Sequence, residues 1–151
     1  MDTDEAYIRD TIELAHNAAS NGNTPFGSLL VVDDTVVKRS QNTTVTGDDI
    51  TAHPELKLAR WAARELDRGQ RASCTMYTST EPCEMCATAI YYAELDRVVY
   101  SVSGGSLANI RENAESGIAC ADVIRRNGGS TKIDGPVLEH EGIRVHRAFY
   151  E

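Results

Sequence analysis

Residues 74–93 read CTMYTSTEPCEMCATAIYYA, and this stretch places a strand directly before a helix. Cys74–Thr78 is rich in β-favouring residues and predicts a strand, which ends at Glu81-Pro82. Cys83–Ala93 has helical spacing. Cys83 and Cys86 are three residues apart, so their side chains are expected on one side of the helix, at its N-terminus.

Elements of both kinds continue on either side of this stretch. Upstream, the pattern predicts a helix over 6–19, a hairpin of strands 29–32 and 35–37 turning at Asp33-Asp34, a polar loop over 43–51 and a helix after His53. Downstream, it predicts a strand over 97–102, a loop opening at Gly104-Gly105, a weaker helix over 119–126 and a short mixed tail from Val137. Alternating strands and helices predict a three-layer α/β/α sandwich, and 151 residues suit a single domain over 1–151.

Composition excludes several classes of protein. The net charge is −8, whereas nucleic-acid binding gains most of its affinity from Lys and Arg. Adjacent basic residues occur only as isolated pairs, such as Arg125-Arg126, so no nucleic-acid partner is expected. No apolar run approaches the roughly 20 residues that span a bilayer. The acidic N-terminus lacks the order of a secretory signal, which favours a cytoplasmic location.

Three side chains form a candidate zinc site: His53, Cys83 and Cys86. Catalytic zinc takes three such ligands and leaves its fourth position for water. The macrodipole at the N-terminus of a helix helps to hold thiolates. The other cysteines and histidines lack motif spacing to these three. We expect Cys74 and Cys120 to be small buried hydrophobic residues. We expect the remaining histidines to be surface or partly buried residues: His16, His140 and His146.

Glu55 is the candidate catalytic residue because it lies two positions after His53 without being needed as a ligand. Zinc lowers the pKa of its water towards ~7. A nearby carboxylate can take that proton and deliver it to a ring nitrogen and then to leaving ammonia. The residue types and their order therefore predict a hydrolytic site.

The pattern His53-Pro54-Glu55 followed by Pro82-Cys83-Glu84-Met85-Cys86 matches the H-x-E…P-C-x-x-C signature of zinc deaminases. The chain thus resembles the cytidine deaminase-like superfamily over roughly residues 4–102, including the first helix, the hairpin after Pro25-Phe26-Gly27 and residues 77–82. The resemblance implies a central mixed five-stranded sheet, bound Zn²⁺, a small-molecule nucleobase substrate and a homodimer.

Within that superfamily the chain is most similar to the guanine deaminase branch. The resemblance implies that Phe26 stacks on a purine and that Asn42 orients that purine. The alternative role of Phe26 is core packing, and the alternative role of Asn42 is that of a turn residue. The terminus that ends in Tyr150-Glu151 resembles a tail that closes over a site, in some members the partner's. Pro54 departs from the usual Ala, Val or Gly and lacks an N–H for a base carbonyl, which predicts a shifted substrate preference.

Several functions stay open at this stage. A cytosine deaminase is weakened by Phe26 and Pro54, a nucleoside deaminase has no clear ribose or phosphate site, and a tRNA adenosine deaminase conflicts with the acidic charge. A zinc-stabilised binding module would have no use for Glu55. A redox protein would keep Cys83 and Cys86 as reactive thiols.

Overall fold

The computed structural model describes residues 3–112 and 115–151, which form helices and strands in alternation. The helices are α1 (Thr3–Ser20), α2 (Pro54–Glu65), α3 (Arg68–Arg71), α4 (Glu84–Ala93), α5 (Gly104–Arg111), α6 (Cys120–Arg126) and α7 (Glu139–Tyr150). The strands are β1 (Gly27–Val32), β2 (Thr35–Gln41), β3 (Thr75–Thr80), β4 (Arg97–Val102) and β5 (Lys132–Asp134).

The five strands form one mixed sheet in the order β2-β1-β3-β4-β5. β1 is antiparallel to β2 and β3, and β3, β4 and β5 run parallel. Thr80 pairs with Val102, so β3 and β4 end at the same edge of the sheet. In open α/β sheets, ligands bind outside such carboxyl ends, and the predicted site residues Cys83 and Cys86 follow β3 at this edge.

Helices cover both faces of the sheet and confirm the three-layer α/β/α sandwich. On one face, apolar side chains of α2, α4 and α6 pack on the sheet around Leu58, Ile90 and Met76. On the other face, α1 and α7 pack around Ile8, Val145 and Leu29. All six residues of β1 are buried, as expected for a strand covered on both sides.

Two local features fix the start of the sheet. Asp33 and Asp34 both have positive φ, which matches the two-residue turn that joins twisted strands. Gly27 begins β1 against α1, where an added Cβ would collide with the side chain of Leu14 and lie 2.6 Å from the backbone oxygen of Thr11. Only glycine allows this close approach.

Four segments differ from the sequence prediction. Gly104-Gly105 begins helix α5 instead of a loop, because Ser103 caps it by accepting a hydrogen bond from the Ser106 N–H. The segment read as a mixed tail contains the 12-residue helix α7, which packs Gly142 closely against β4. The pattern also omitted β5, a three-residue edge strand with one apolar residue, and the short helix α3.

Within 3–112 and 115–151, every helix is too short or too polar to span a bilayer.

Candidate active site

Two helix N-termini bring the three predicted ligands together. His53 is the N-cap residue of α2, Cys83 is the N-cap residue of α4, and Cys86 lies in the first turn of α4. His53 Nδ1 is 3.6 Å from Cys83 Sγ and 3.5 Å from Cys86 Sγ. All three donor atoms lie within 4.8 Å of one another.

These separations fit a tetrahedral zinc ion. Zinc bonds to nitrogen at about 2.0–2.1 Å and to sulfur at about 2.3 Å, so two such ligands at a tetrahedral angle are about 3.6 Å apart. The observed 3.5 and 3.6 Å between His53 Nδ1 and the two sulfurs agree with that value. No fourth His, Cys, Asp or Glu joins this group within the described residues, which matches a site with one open position.

The contacts among His53, Cys83 and Cys86 also shift the pKa values of these three side chains. The hydrogen bond with Cys86, aided by His53 and opposed by burial, lowers the pKa of Cys83 to about 4. That hydrogen bond and burial hold the pKa of Cys86 well above its ordinary value. The contact with Cys83 raises the pKa of His53, which burial opposes. The protons held here are those that a bound divalent cation displaces.

Glu55 lies in the first turn of α2 and is only 4% exposed. Burial raises the pKa of its carboxyl to about 7, and the neighbouring charge of Cys83 adds to the shift. A carboxyl with a pKa near neutrality can both accept and return a proton.

A cavity of about 560 Å³ opens at the edge where β3 and β4 end. Small-molecule sites in proteins are typically about 300–1,000 Å³. The wall contains five of the predicted site residues, namely His53, Glu55, Cys83, Asn42 and Phe26. The structure therefore brings the metal-binding, acidic and base-orienting candidates around one space.

Asn42 forms a local turn and also lines the cavity. Its side-chain oxygen accepts hydrogen bonds from the Thr44 N–H at 3.0 Å and the Thr44 hydroxyl at 2.8 Å, which makes the local turn. Its amide nitrogen has no hydrogen-bond partner within the described residues, and Asn42 lines the cavity. The free N–H₂ group can therefore donate to a bound molecule.

Phe26 and Tyr150 are brought together by Arg111, which the sequence analysis did not select. The Arg111 guanidinium lies 5.9 Å from the Phe26 ring centre and 4.8 Å from that of Tyr150, and it donates to the Tyr150 hydroxyl at 2.6 Å. Phe26 and Arg111 line the cavity, whereas Tyr150 stands outside the wall. Arg111 lies in the segment read as a loop, so nothing in the pattern pointed to it.

Pro54 is buried at the first position of α2, and its side chain does not line the cavity. Cys74 and Cys120 are fully buried, as predicted. His16 and His140 are exposed.

The expectation for His146 was wrong. It lies on α7, is 1% exposed, and its Nε2 is 2.7 Å from the hydroxyl of Thr80, a residue that lines the cavity. Its ring centre is 5.3 Å from that of Phe26. The burial depends on α7, which the sequence pattern did not predict.

Two glutamates close to Cys83 in the sequence, Glu81 and Glu84, hold the outer wall of the cavity. The Glu81 carboxylate accepts from the backbone N–H groups of Gly104 and Cys120, the first residues of α5 and α6. Glu84 accepts from the Ile118 N–H at 2.6 Å. These side chains, also missed in the sequence, fix the segment 115–119 beside the metal site.

The model of the cytidine and deoxycytidylate deaminase zinc-binding region matches residues 1–102. The chain belongs to this zinc-dependent deaminase family. A hydrolytic deaminase that carries zinc accounts for His53, Cys83 and Cys86 around one open position.

Relatives of this deaminase differ in substrate. A probable cytosine deaminase of Schizosaccharomyces pombe is 30% identical over 98% of this chain and 93% of its own. The guanine deaminase of Bacillus subtilis is 37% identical over 64% of this chain and 63% of its own. tRNA-specific adenosine deaminases are also among the relatives.

The fold agrees with a solved guanine deaminase of Nitrosomonas europaea, with a TM-score of 0.82 at 19% identity over 97% of this chain and 84% of that one. The cytidine deaminase-like sheet and its helical layers are therefore confirmed.

Proposed function

We propose that this deaminase hydrolyses the exocyclic amino group of a free nucleobase or related amino-heterocycle, with a guanine-like purine favoured. One observation carries the proposal. The buried Glu55 lines the same cavity as His53 and Cys83, which form the candidate zinc site together with Cys86.

The reaction adds water at the ring carbon that bears the amino group, and ammonia leaves as that C–N bond breaks. Zinc held by His53, Cys83 and Cys86 supplies the Lewis acidity that makes water a nucleophile near neutral pH. A Glu55 carboxylate oxygen takes one proton of the attacking water and passes it to the adjacent ring nitrogen. It then takes the second proton, from the new hydroxyl group on the ring carbon, and delivers it to the leaving amine, so that ammonia departs as the C=O bond forms. Its burial keeps bulk water away from these transfers.

Two further residues support a flat heterocyclic substrate. Phe26 presents a half-buried ring to the cavity, and aromatic rings favour offset stacking on other rings. Asn42 presents a free N–H₂ group to the same space. A guanine-like base offers both an aromatic face and acceptor atoms on its edge.

A free base fits this cavity better than a polynucleotide. Arg111 is the one Lys or Arg among the described residues that line it, and its guanidinium already contacts Tyr150 and Phe26. The chain carries a net charge of −8. Phosphate backbones gain affinity from several Lys or Arg contacts, so a tRNA substrate is disfavoured.

The test is ammonia release by zinc-loaded protein from guanine, cytosine, adenine, isoguanine, their nucleosides and amino-triazines. We expect guanine or a related purine to be the best substrate. Glu55→Gln should lower kcat by about 10²- to 10⁴-fold, because it removes the proton carrier, and should still retain one zinc per chain. Glu115→Gln is the matched control, since Glu115 is an exposed carboxylate on the same cavity wall. Unchanged turnover in Glu55→Gln contradicts the proposal.

Cytosine is the second candidate substrate, because the relative that is 30% identical over 98% of this chain is a probable cytosine deaminase. If kcat/KM for cytosine exceeds that for every purine in the panel, cytosine and not guanine is the preferred substrate. Absence of turnover with every compound would favour a zinc-stabilised binding module. Titration of Cys83 and Cys86 in the native protein before chelation of zinc would indicate a redox role.

Self-association and location stay proposals. We infer a homodimer from the family resemblance, and sedimentation velocity of the purified chain tests it. We also propose a cytoplasmic location, which fractionation of cells that produce the protein tests.

A further inference from the structure

His146 and Thr80 form a buried polar pair that the proposed mechanism does not use. The Thr80 hydroxyl lies 2.7 Å from His146 Nε2. The two residues are 3% and 1% exposed. His146 Nδ1 is buried and has no hydrogen-bond partner within the described residues. The arrangement therefore decides which nitrogen of His146 carries its proton.

A proton on Nδ1 would leave a buried N–H group without an acceptor, and orphaned buried donors are rare. A proton on Nε2 leaves only an unfilled acceptor, and Nε2 then donates to Thr80. The neutral ring suits this site because burial, with a smaller contribution from Arg111, lowers the pKa of His146 to about 4. The Thr80 oxygen is therefore the acceptor in this pair.

A hydroxyl that accepts from His146 keeps its own O–H to donate elsewhere. His146 is the one hydrogen-bond partner of the Thr80 hydroxyl among the described residues. Thr80 lines the cavity beside Glu81, Pro82 and Cys83. The Thr80 O–H is therefore available to donate to an acceptor atom of a molecule bound in the cavity.

We propose that Thr80 is a specificity-determining residue that donates a hydrogen bond to an oxo group of the substrate, and that His146 is a positioning residue that fixes the direction of this donor. The inference rests on the proposed function and narrows it to amino-heterocycles that also carry an oxo group.

The surroundings favour an oxo group over a charged substituent. Thr80 and His146 are neutral, and the Arg111 guanidinium is engaged with the Tyr150 hydroxyl and stands over the Phe26 ring. A carbonyl oxygen has two lone pairs and is satisfied by one hydroxyl donor. Arg111 is the one Lys or Arg among the described residues that line the cavity, so an anionic substituent would find no unengaged basic side chain there.

The experiment compares guanine with 2-aminopurine, which keeps the amino group and lacks the oxo group. In zinc-loaded wild-type protein, guanine should have the higher kcat/KM. Thr80→Val removes the hydroxyl at nearly constant volume. It should lower the ratio of the two kcat/KM values by about 10- to 100-fold, mainly through KM for guanine, since a substrate acceptor is left unpaired. Thr80→Ser should keep the wild-type ratio.

His146 is tested by a pair of variants in case Thr80→Val does not fold. His146→Gln keeps a donor near the place of Nε2 and should preserve most of the ratio, whereas His146→Phe should lower it at least about threefold. Thr11→Val is the matched control. Thr11 is a buried threonine on α1 whose hydroxyl donates to the Ile8 carbonyl and which does not line the cavity, so its loss should change stability and leave the ratio unchanged.

An equal loss for guanine and 2-aminopurine in Thr80→Val overturns the proposal, and so does an unchanged ratio. Equilibrium binding of both bases to the zinc-loaded Glu55→Gln protein, with and without Thr80→Val, gives the same comparison without turnover. Failure of the wild type to deaminate any compound would refute the proposed function, while the binding ratio still decides the role of Thr80.

Discussion

Asn42→Asp separates the two roles of Asn42, in the turn and in the cavity. The side-chain oxygen holds the turn through Thr44, at 3.0 and 2.8 Å, and aspartate keeps that oxygen. The amide nitrogen that faces the cavity becomes a second oxygen. The substitution therefore preserves the turn and replaces one donor to the substrate by an acceptor.

The magnitude follows from these bonds. A substrate acceptor left without its donor costs about 1–3 kcal/mol, so kcat/KM should fall about 5- to 150-fold. Asn42→Ala removes both bonds to Thr44 and leaves the Thr44 N–H without its acceptor, which should cost a further ~1–3 kcal/mol of folding stability. We expect Asn42→Asp to be the more stable of the two variants.

The assay combines kcat/KM for the best substrate with urea unfolding of the zinc-loaded proteins. Asn23→Asp is the control. Asn23 is equally buried and holds a turn through the N–H groups of Val45 and Thr46, but it does not line the cavity. Asn42→Asp with wild-type kcat/KM would refute the reasoning and leave Asn42 as a turn residue alone.

Three further predictions concern packing, pH and substrate choice. Gly27→Ala should destabilise the fold by about 1–3 kcal/mol in urea unfolding, because its Cβ would overlap helix α1 near the Thr11 oxygen; Gly105→Ala, with open space around it, should not. Burial lowers the pKa of His146 to about 4, so the unfolded chain binds a proton on this ring more readily than the folded chain does. The free energy of unfolding therefore decreases as the pH falls from about 6.5 towards 4. Wild type should lose about 2 kcal/mol more than His146→Gln between about pH 7 and pH 5, and equal losses would contradict the assignment. Pro54→Ala restores an N–H at the first position of α2 and should change the ranking of kcat/KM across the base panel; an unchanged ranking counts against a role for Pro54.

Local signals in the sequence located much of the site. A strand, a turn and a helix N-terminus are each encoded within a few residues, so Cys83 and Cys86 could be placed on one helix face from spacing alone. Asp33-Asp34 identified the hairpin for the same reason. The prediction of a fifth strand depended on the family resemblance, because Lys132–Asp134 is too short to show a periodic pattern.

The missed features depend on tertiary contacts. Gly142 interrupts the apolar pattern of α7, and its place in a helix is explained by close contact with Ser101 and Val102 on β4. The burial of His146 and its bond to Thr80 then follow from the position of α7. Arg111 reaches the cavity only because the Ser103 cap begins α5 where two glycines favour a loop.

The most direct test of the central claim is zinc X-ray absorption of the purified native protein, with metal content measured on the same sample. We expect one zinc per chain with two sulfur neighbours at about 2.3 Å and two nitrogen or oxygen neighbours at about 2.0–2.1 Å, one of the latter exchangeable with solvent. A protein free of metal, or a zinc ion enclosed by four side chains with no exchangeable ligand, would contradict it.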